Sequence, residues 1–148
     1  MYTVRKVRNL DSALDTLIQL DRQCFPGDDP FDFTYRRKSH HWWIAYDEDD
    51  TPVAFAGSLF WEPDKGFYLC RAGTLPQAQG QGLQKRFIQA RVDHAKRSGA
   101  KWCYTYTLAS NHISSNNLIK KGFLLFRPGV PWVGTTGVLY WYRTFRKP

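Results

Sequence analysis

A glycine-rich stretch in the middle of the chain, residues 76–82 (PQAQGQG), has the composition and spacing to bind an anion. Gly80 and Gly82 lack a Cβ atom, so backbone N–H groups there can approach a ligand closely. A helical pattern follows the turn, and the first N–H groups of a helix are unpaired and lie at the positive end of its dipole. The stretch therefore predicts a pyrophosphate site, with a plain strand-to-helix turn as the alternative.

Two other phosphate-binding motifs are excluded at this turn. It is not a Walker loop, because no Gly-Lys-Ser/Thr sequence follows it. It is not a Rossmann fingerprint either, because the third glycine is missing and Asp93 lies inside the predicted helix rather than at the end of a strand.

The sulfur and imidazole side chains do not form a metal motif. Cys24, Cys70 and Cys103 are widely spaced, no C-x-x-C is present, and the four histidines lack metal-ligand spacing. We therefore predict three reduced thiols, no metal site and a cytoplasmic location. No apolar run approaches the roughly 20 residues needed to cross a bilayer, so we expect no membrane association.

The elements around the turn predict a single α/β domain over residues 1–148. Alternation and β-branched or aromatic content predict strands, and apolar residues three and four apart predict helices. The predicted strands are 2–7, 42–46, 53–61, 67–75, 101–108, 123–126 and 138–145. The predicted helices begin near residues 11, 31, 83 and 113, and the second of them covers residues 31–40. We expect a mixed, mostly antiparallel sheet of six to seven strands flanked by four helices.

Two segments of this chain resemble one known family. Residues 77–82 (QAQGQG) resemble the Q/R-x-x-G-x-G/A acetyl-CoA motif of the GNAT superfamily of N-acetyltransferases. Residues 111–123 (NHISSNNLIKKGF) resemble its N-x-x-A/S…K-x-G-F segment. The order of predicted elements fits the same fold from the first strand to the last, so the resemblance covers nearly the whole chain.

The resemblance implies a direct acetyl transfer from acetyl-CoA to a primary amine in a ternary complex. The strands on either side of the glycine turn and its helix would splay apart to admit the pantetheine arm of the cofactor. The backbone N–H of Leu75 would stabilise the oxyanion. The cofactor-binding residues implied by the resemblance are Thr74, Leu75, Gln79, Gly80, Gln81, Gly82, Leu83, Gln84, Asn111, Ser114 and Lys120.

The proton-transfer groups are less well specified. Many family members have a tyrosine as general acid where this chain has Leu118, which cannot donate a proton. Ser114, Tyr106, Tyr104 or a water are the alternatives. The general base is equally open, with Glu62, Asp64 or a chain of waters as alternatives.

The acceptor side is also implied by the resemblance. In this family the loop between the first two helices borders the acceptor site, so Asp28, Asp29 and Asp32 are candidates to bind a cationic amine. Many family members are dimers, so a homodimer is one alternative and the oligomeric state is open.

The formal net charge of +8 is unevenly distributed. Residues 1–74 hold nine Lys and Arg against twelve Asp and Glu, whereas residues 75–148 hold twelve against the single Asp93. A basic half that contains the predicted phosphate turn favours a phosphorylated cofactor. Two alternatives stay open: an acetyltransferase that acts on an RNA-linked amine such as aminoacyl-tRNA, and a non-catalytic basic module that binds CoA or nucleic acid.

Overall fold

Seven β-strands and three α-helices form the described part of the chain, residues 1–145 of a computed structural model. The strands are β1 Thr3–Lys6, β2 His40–Tyr46, β3 Pro52–Trp61, β4 Gly66–Thr74, β5 Trp102–Leu108, β6 Leu124–Phe126 and β7 Val138–Thr144. The helices are α1 Leu10–Cys24, α2 Leu83–Arg97 and α3 His112–Lys120. The predicted α/β class is confirmed.

All strands belong to one sheet, in the order β1-β2-β3-β4-β5-β7-β6. Neighbouring strands are antiparallel except for β4 and β5, which are parallel. Pairing between these two strands covers only three residue pairs and ends at Tyr68 opposite Tyr104. Both strands continue beyond that point, so the sheet opens into a gap, and the predicted mixed, splayed sheet is confirmed.

Helices cover both faces of the sheet. Successive strand residues point to opposite faces, so each strand contributes side chains to both helix layers. In β2, Trp42 packs with α1, whereas the next residue, Trp43, packs with α2. The α1 layer buries Leu17, Leu20, Phe33, Trp42, Ile44, Phe55 and Leu75. On the other face, α2 and α3 cover Phe67, Leu69, Cys103 and Trp141 with Ile88, Val92 and Leu118.

The predicted helix over residues 31–40 is wrong, and this is why three helices are found instead of four. Residues 33–39 form turns, and strand β2 already begins at His40. The carboxylate of Asp32 accepts a 2.9 Å hydrogen bond from the Thr34 N–H, which is an Asx turn rather than a helical turn. Arg36 has a positive φ of 47°, which an α-helix does not tolerate.

Candidate functional site

A cleft of about 510 Å³ occupies the gap between β4 and β5. Its closed end lies where the pairing of the two strands stops, and there the hydroxyl of Thr105 donates a 2.8 Å hydrogen bond to the Leu69 carbonyl. Helix α2 contributes Gln84, Ile88 and Arg91 to the wall, at spacings of four and three residues that place them on one helical face. Helix α3 contributes Asn111, Ser114, Asn117 and Leu118.

The glycine turn leads into this cleft at the start of α2. Gly80 and Gly82 have φ angles of +74° and +79°, a left-handed conformation that favours glycine. Gly82 precedes the first helical residue, Leu83, and no side chain among residues 1–145 caps that helix end. The first N–H groups of α2 are therefore available to an anion.

Two glutamines connect the turn to the end of β4. The Gln84 amide donates a 2.7 Å hydrogen bond to the Thr74 hydroxyl, and the Gln79 amide donates a 3.2 Å bond to the Thr74 carbonyl. Leu83 can contact an anion at the turn only through its backbone, because its side chain is buried in the cluster with Trp43 and Phe87. The turn is thus held in a defined position relative to the strand edge.

The edge of β4 that faces the gap is set by the register of β4 against β3. The Leu75 N–H donates a 2.8 Å hydrogen bond to the Val53 carbonyl, so it points toward β3. In an antiparallel pair, alternate residues direct their N–H and C=O groups to the partner strand. The peptide groups of Thr74 and Ala72 therefore point the other way, into the gap.

The prediction that Leu75 supplies the oxyanion donor is therefore wrong. Its N–H is already used by Val53, and its side chain is buried against α1. The pairing register of a strand cannot be read from its own residues, and a one-residue shift reverses the direction of every peptide group.

Helix α3 presents its first turn to the cleft from the β5 side. The Asn111 side chain caps the helix by accepting a 3.1 Å hydrogen bond from the Ser114 N–H, which leaves its amide NH₂ group for a ligand. A buried network fixes this helix: Trp141 donates to the Thr107 hydroxyl at 2.9 Å, and Thr107 and Ser115 share a 3.0 Å bond. Lys120 is exposed and does not line the cleft.

Some of the candidate general acids line the cleft and others do not. Leu118 is 4% exposed and forms part of the wall, so an apolar side chain occupies the position of the expected tyrosine. Tyr106 and Ser114 both line the cleft. Tyr104 does not line it; its hydroxyl donates to the Asp64 carboxylate at 3.3 Å, and burial followed by that negative charge raises its pKa.

Of the three predicted acceptor carboxylates, the structure brings Asp28 alone to the cleft wall of the described chain. It lies 3.7 Å from Arg71, whose guanidinium also pairs with the buried Asp21 at 2.8 Å. Asp29 and Asp32 are exposed outside the cleft. Hydrogen bonds from Thr34 hold Asp32 in the turn and lower the pKa of its carboxyl.

Comparison with known proteins decides the family. The model of the acetyltransferase (GNAT) family matches residues 14–123. The chain belongs to the GNAT family of acetyltransferases. A search among curated protein sequences finds no match to this chain.

Solved structures of GNAT proteins share the fold at low sequence identity. A ribosomal-protein-S18-alanine N-acetyltransferase from Escherichia coli aligns with a TM-score of 0.76 and 15% identity over 100% of this chain and 96% of that chain. A GNAT acetyltransferase from Staphylococcus aureus Mu50 gives 0.77 and 13% over 97% and 100%. A Vibrio cholerae spermidine N-acetyltransferase in complex with CoA and spermine gives 0.72 and 12% over 97% and 95%.

The three thiols of this GNAT domain are poor nucleophiles. Burial raises the pKa of Cys24 to about 11 and the pKa values of Cys70 and Cys103 to about 12, so all three are protonated at neutral pH. Cys70 lies in the cleft wall, but as a neutral thiol it is a packing residue.

The sequence analysis missed several polar side chains of the GNAT cleft, and the most deeply buried of them is Arg91. It is 4% exposed and lines the cleft from α2. Its position carried a signal, because Arg91 falls within the apolar pattern of α2 beside Ile88 and Val92. A charged residue on the buried face of a helix is unusual and needs a partner.

Other parts of this GNAT domain offer weaker sites. A second hollow of about 640 Å³ lies between β1 and α1, away from the glycine turn and the open strand edge. Within residues 1–145 no group of three or more His, Cys, Asp or Glu side chains is placed to hold a metal ion. None of the helices in the same range is both long and apolar enough to span a bilayer.

Proposed function

We propose that this protein is an N-acetyltransferase that transfers an acetyl group from acetyl-CoA to a primary amine, as one domain spanning residues 1–148. The observation that carries the proposal is the open edge of β4, where the Ala72 and Thr74 peptide groups face a cleft that begins at an anion-binding turn. Two structural neighbours are a ribosomal-protein-S18-alanine N-acetyltransferase from E. coli and a spermidine N-acetyltransferase from V. cholerae. The reduced thiols favour a cytoplasmic protein.

The cofactor fits the groups that the cleft leaves unpaired. Backbone N–H groups of the turn and of the start of α2 bind its pyrophosphate, and the Thr74 N–H and the Ala72 carbonyl pair with its pantetheine amides. The amide NH₂ of Asn111 approaches the arm from the opposite wall. When bound, acetyl-CoA supplies an activated acetyl thioester. The proposed cofactor-binding groups are those of Ala72, Thr74, Gln79, Gly80, Gln81, Gly82, Leu83, Gln84, Asn111 and Ser114.

The chain stabilises the attack through its backbone. The Ala72 N–H is the unpaired donor nearer the closed end of the gap, so it replaces Leu75 as the group that hydrogen-bonds the developing oxyanion. The remaining contribution of the cleft is to hold two substrates in attack geometry.

The amine binds where the loop after α1 meets the cleft. Phe25 and Phe31 line the cleft there together with the Asp28 carboxylate, and Tyr68 lies at its closed end. Aromatic faces and a carboxylate both attract a cation. The Arg71 guanidinium already lies 4.3 Å from the Phe25 ring centre and 3.7 Å from Asp28, so the amine competes with it for these groups. The amine then loses its proton to water, and Ser114, Tyr106 or a water protonates the leaving sulfur.

Binding and turnover of acetyl-CoA test this function. CoA at a hundred times its Kd adds about 2.7 kcal/mol to the free energy of unfolding, so we expect the Tm to rise by about 5–10 °C. A panel of amines, including an alanine N-terminal peptide, spermidine and an aminoacyl-tRNA, is then screened for release of free CoA thiol. A Tm that does not change at millimolar CoA would contradict the proposal, whereas binding without turnover for any amine would favour a non-catalytic module.

A further inference from the structure

Arg91 is a buried cation without a buried anion. Its Nε donates to the Phe87 carbonyl at 3.1 Å, and its Nη1 donates to the Gly57 carbonyl at 3.0 Å. No carboxylate within residues 1–145 forms an ion pair with it. Burial lowers the pKa of Arg91 to about 10, so the guanidinium is still charged at neutral pH.

The other arginine of the cleft provides a contrast. Arg71 is paired with the buried Asp21 at 2.8 Å and approaches Asp28 at 3.7 Å, so its charge is compensated by the chain. An uncompensated buried charge is costly to keep. The Arg91 guanidinium can therefore bind an anion, and the described chain supplies no carboxylate for it.

The position of Arg91 indicates which anion that is. Arg91 lies nine residues after Gly82, about 13 Å along the axis of α2, which is comparable with an extended pantetheine arm. The Gly57 carbonyl that Arg91 contacts lies opposite the β4 residues between Leu69 and Ala72, and Leu69 is where the bond from Thr105 closes the cleft. An arm anchored at the turn by its phosphates therefore ends with its sulfur atom near Arg91.

Sulfur atoms of the chain already lie within the field of this guanidinium. Burial raises the pKa values of Cys70 and Cys103 to about 12, and in each case the charge of Arg91 is the largest influence in the opposite direction. The same charge would act on any other sulfur at the closed end of the cleft.

Such help assists the transfer because Leu118 forms the cleft wall where a proton donor for the leaving thiol is expected, and a leucine cannot supply a proton. Ser114, Tyr106 or a water still protonates the sulfur after it leaves. We propose that the Arg91 guanidinium binds and stabilises the thiolate that leaves acetyl-CoA. This inference rests on the proposed acetyl transfer.

The transfer step conserves atoms and charge. The amine lone pair forms the C–N bond to the acetyl carbon, and the C–S bond breaks with its electron pair on sulfur. Arg91 stabilises that negative charge, the amine releases one proton to water, and the thiolate later takes one proton from solvent. The products are the acetylated amine and CoA.

The test measures the thiol of bound CoA, which does not depend on turnover. The ultraviolet absorbance of the thiolate is titrated in the complex of CoA with the whole protein, and the complex with desulfo-CoA, which lacks the sulfur, is subtracted. A free thiol has a pKa of about 8.5. We expect bound CoA to titrate at least about one pKa unit lower, which is a tenfold increase of thiolate at low fractional ionisation.

Two substitutions separate charge from packing. Arg91→Lys keeps a cation and retains most of the lowered CoA pKa. Arg91→Met keeps an unbranched stem without charge, so the bound thiol returns to about 8.5, the gain in CoA affinity between pH 6 and 9 disappears, and kcat falls at least tenfold. The Tm of each variant is measured so that misfolded protein is not compared.

The titration of the bound thiol shows whether Arg91 acts on the sulfur. A bound thiol that titrates like free CoA in the unsubstituted protein overturns it, even where Arg91→Met does not fold. An equal shift in the Arg91→Met complex also overturns it, because the charge then has no effect on sulfur. In both cases CoA still binds, so the proposed acetyltransferase function stands. Failure of the unsubstituted protein to bind CoA removes both proposals.

Discussion

The Leu75 amide donates its hydrogen to the Val53 carbonyl at 2.8 Å, and this one bond determines which peptide groups of β4 face the cleft. Since the direction alternates along an antiparallel strand, Thr74 and Ala72 offer their N–H groups to a ligand while Leu75 does not. The Thr74 side chain is also oriented toward the turn by Gln84. The open strand edge and the anion-binding turn therefore form one continuous surface.

Replacement of Gly82 by glutamate is expected to abolish CoA binding. The change places bulk and negative charge at the uncapped start of α2, and like charges in contact cost several kcal/mol, so affinity falls at least about 100-fold. Thermal shift with CoA measures the loss.

Gly99→Glu is the matched control for this substitution. Gly99 has φ +78°, close to the +79° of Gly82, and no atom of the described chain lies within 4 Å of a Cβ built at either position. Both variants therefore carry the same backbone strain of about 1–2 kcal/mol. If CoA raises the Tm of the two variants equally, the pyrophosphate binds somewhere other than Gly82.

Replacement of Asp28 by asparagine is expected to weaken binding of the amine and not of the cofactor. Asp28 lines the cleft and its side chain is 58% exposed, so loss of its charge raises the KM for a cationic amine by up to about fivefold, the upper value for an exposed ion pair. Steady-state kinetics with the best acceptor from the screen measures the ratio of the amine KM values of Asp28→Asn and the unsubstituted protein.

Asp32→Asn tests whether position in the cleft matters or only the charge of the loop. Asp32 lies in the same loop but holds the Thr34 turn outside the cleft. The KM for the amine should stay constant in this variant. A rise equal to that of Asp28→Asn would show that the loop acts through its overall charge.

Acid should destabilise the protein through two neighbouring histidines. The rings of His41 and His94 lie 4.4 Å apart. Burial, then the charges of His94 and Lys6, lowers the pKa of His41 to about 4, and burial also lowers the pKa of His94. The unfolded chain takes up protons near pH 6.5 while the folded chain does not, so stability is complete above pH 6.5 and falls as the pH drops toward 4.

The substitution His41→Phe should flatten this dependence. It removes one group whose protonation favours unfolding, so the Tm should fall less between pH 6.5 and 4 than in the unsubstituted protein. Scanning calorimetry across that range measures the slope. His112→Gln, at the exposed start of α3, is the control. An unchanged slope in His41→Phe would remove the histidine pair as the cause.

Most of the fold could be predicted because each strand and helix carries its own pattern. The strand over residues 101–108 is an aromatic and β-branched run, and the structure begins it at Trp102. The helix prediction for residues 31–40 was wrong because the local composition permits a helix, whereas contacts with residues distant in sequence hold the segment in turns. Phe31 and Phe33 pack on Trp42 with ring centres 5.4 and 4.7 Å away, which requires an irregular loop.

The sequence by itself determined the family of the fold, the glycine turn and the helix that follows it, because these depend on residues close together in the chain. Tertiary structure alone decided that Thr74 rather than Leu75 faces the cleft, that Asp28 rather than Asp32 reaches it, and that Arg91 has no anionic partner among residues 1–145. The physical reason is shared by all three. The direction of a peptide group and the cost of a buried charge depend on neighbours from other strands and helices.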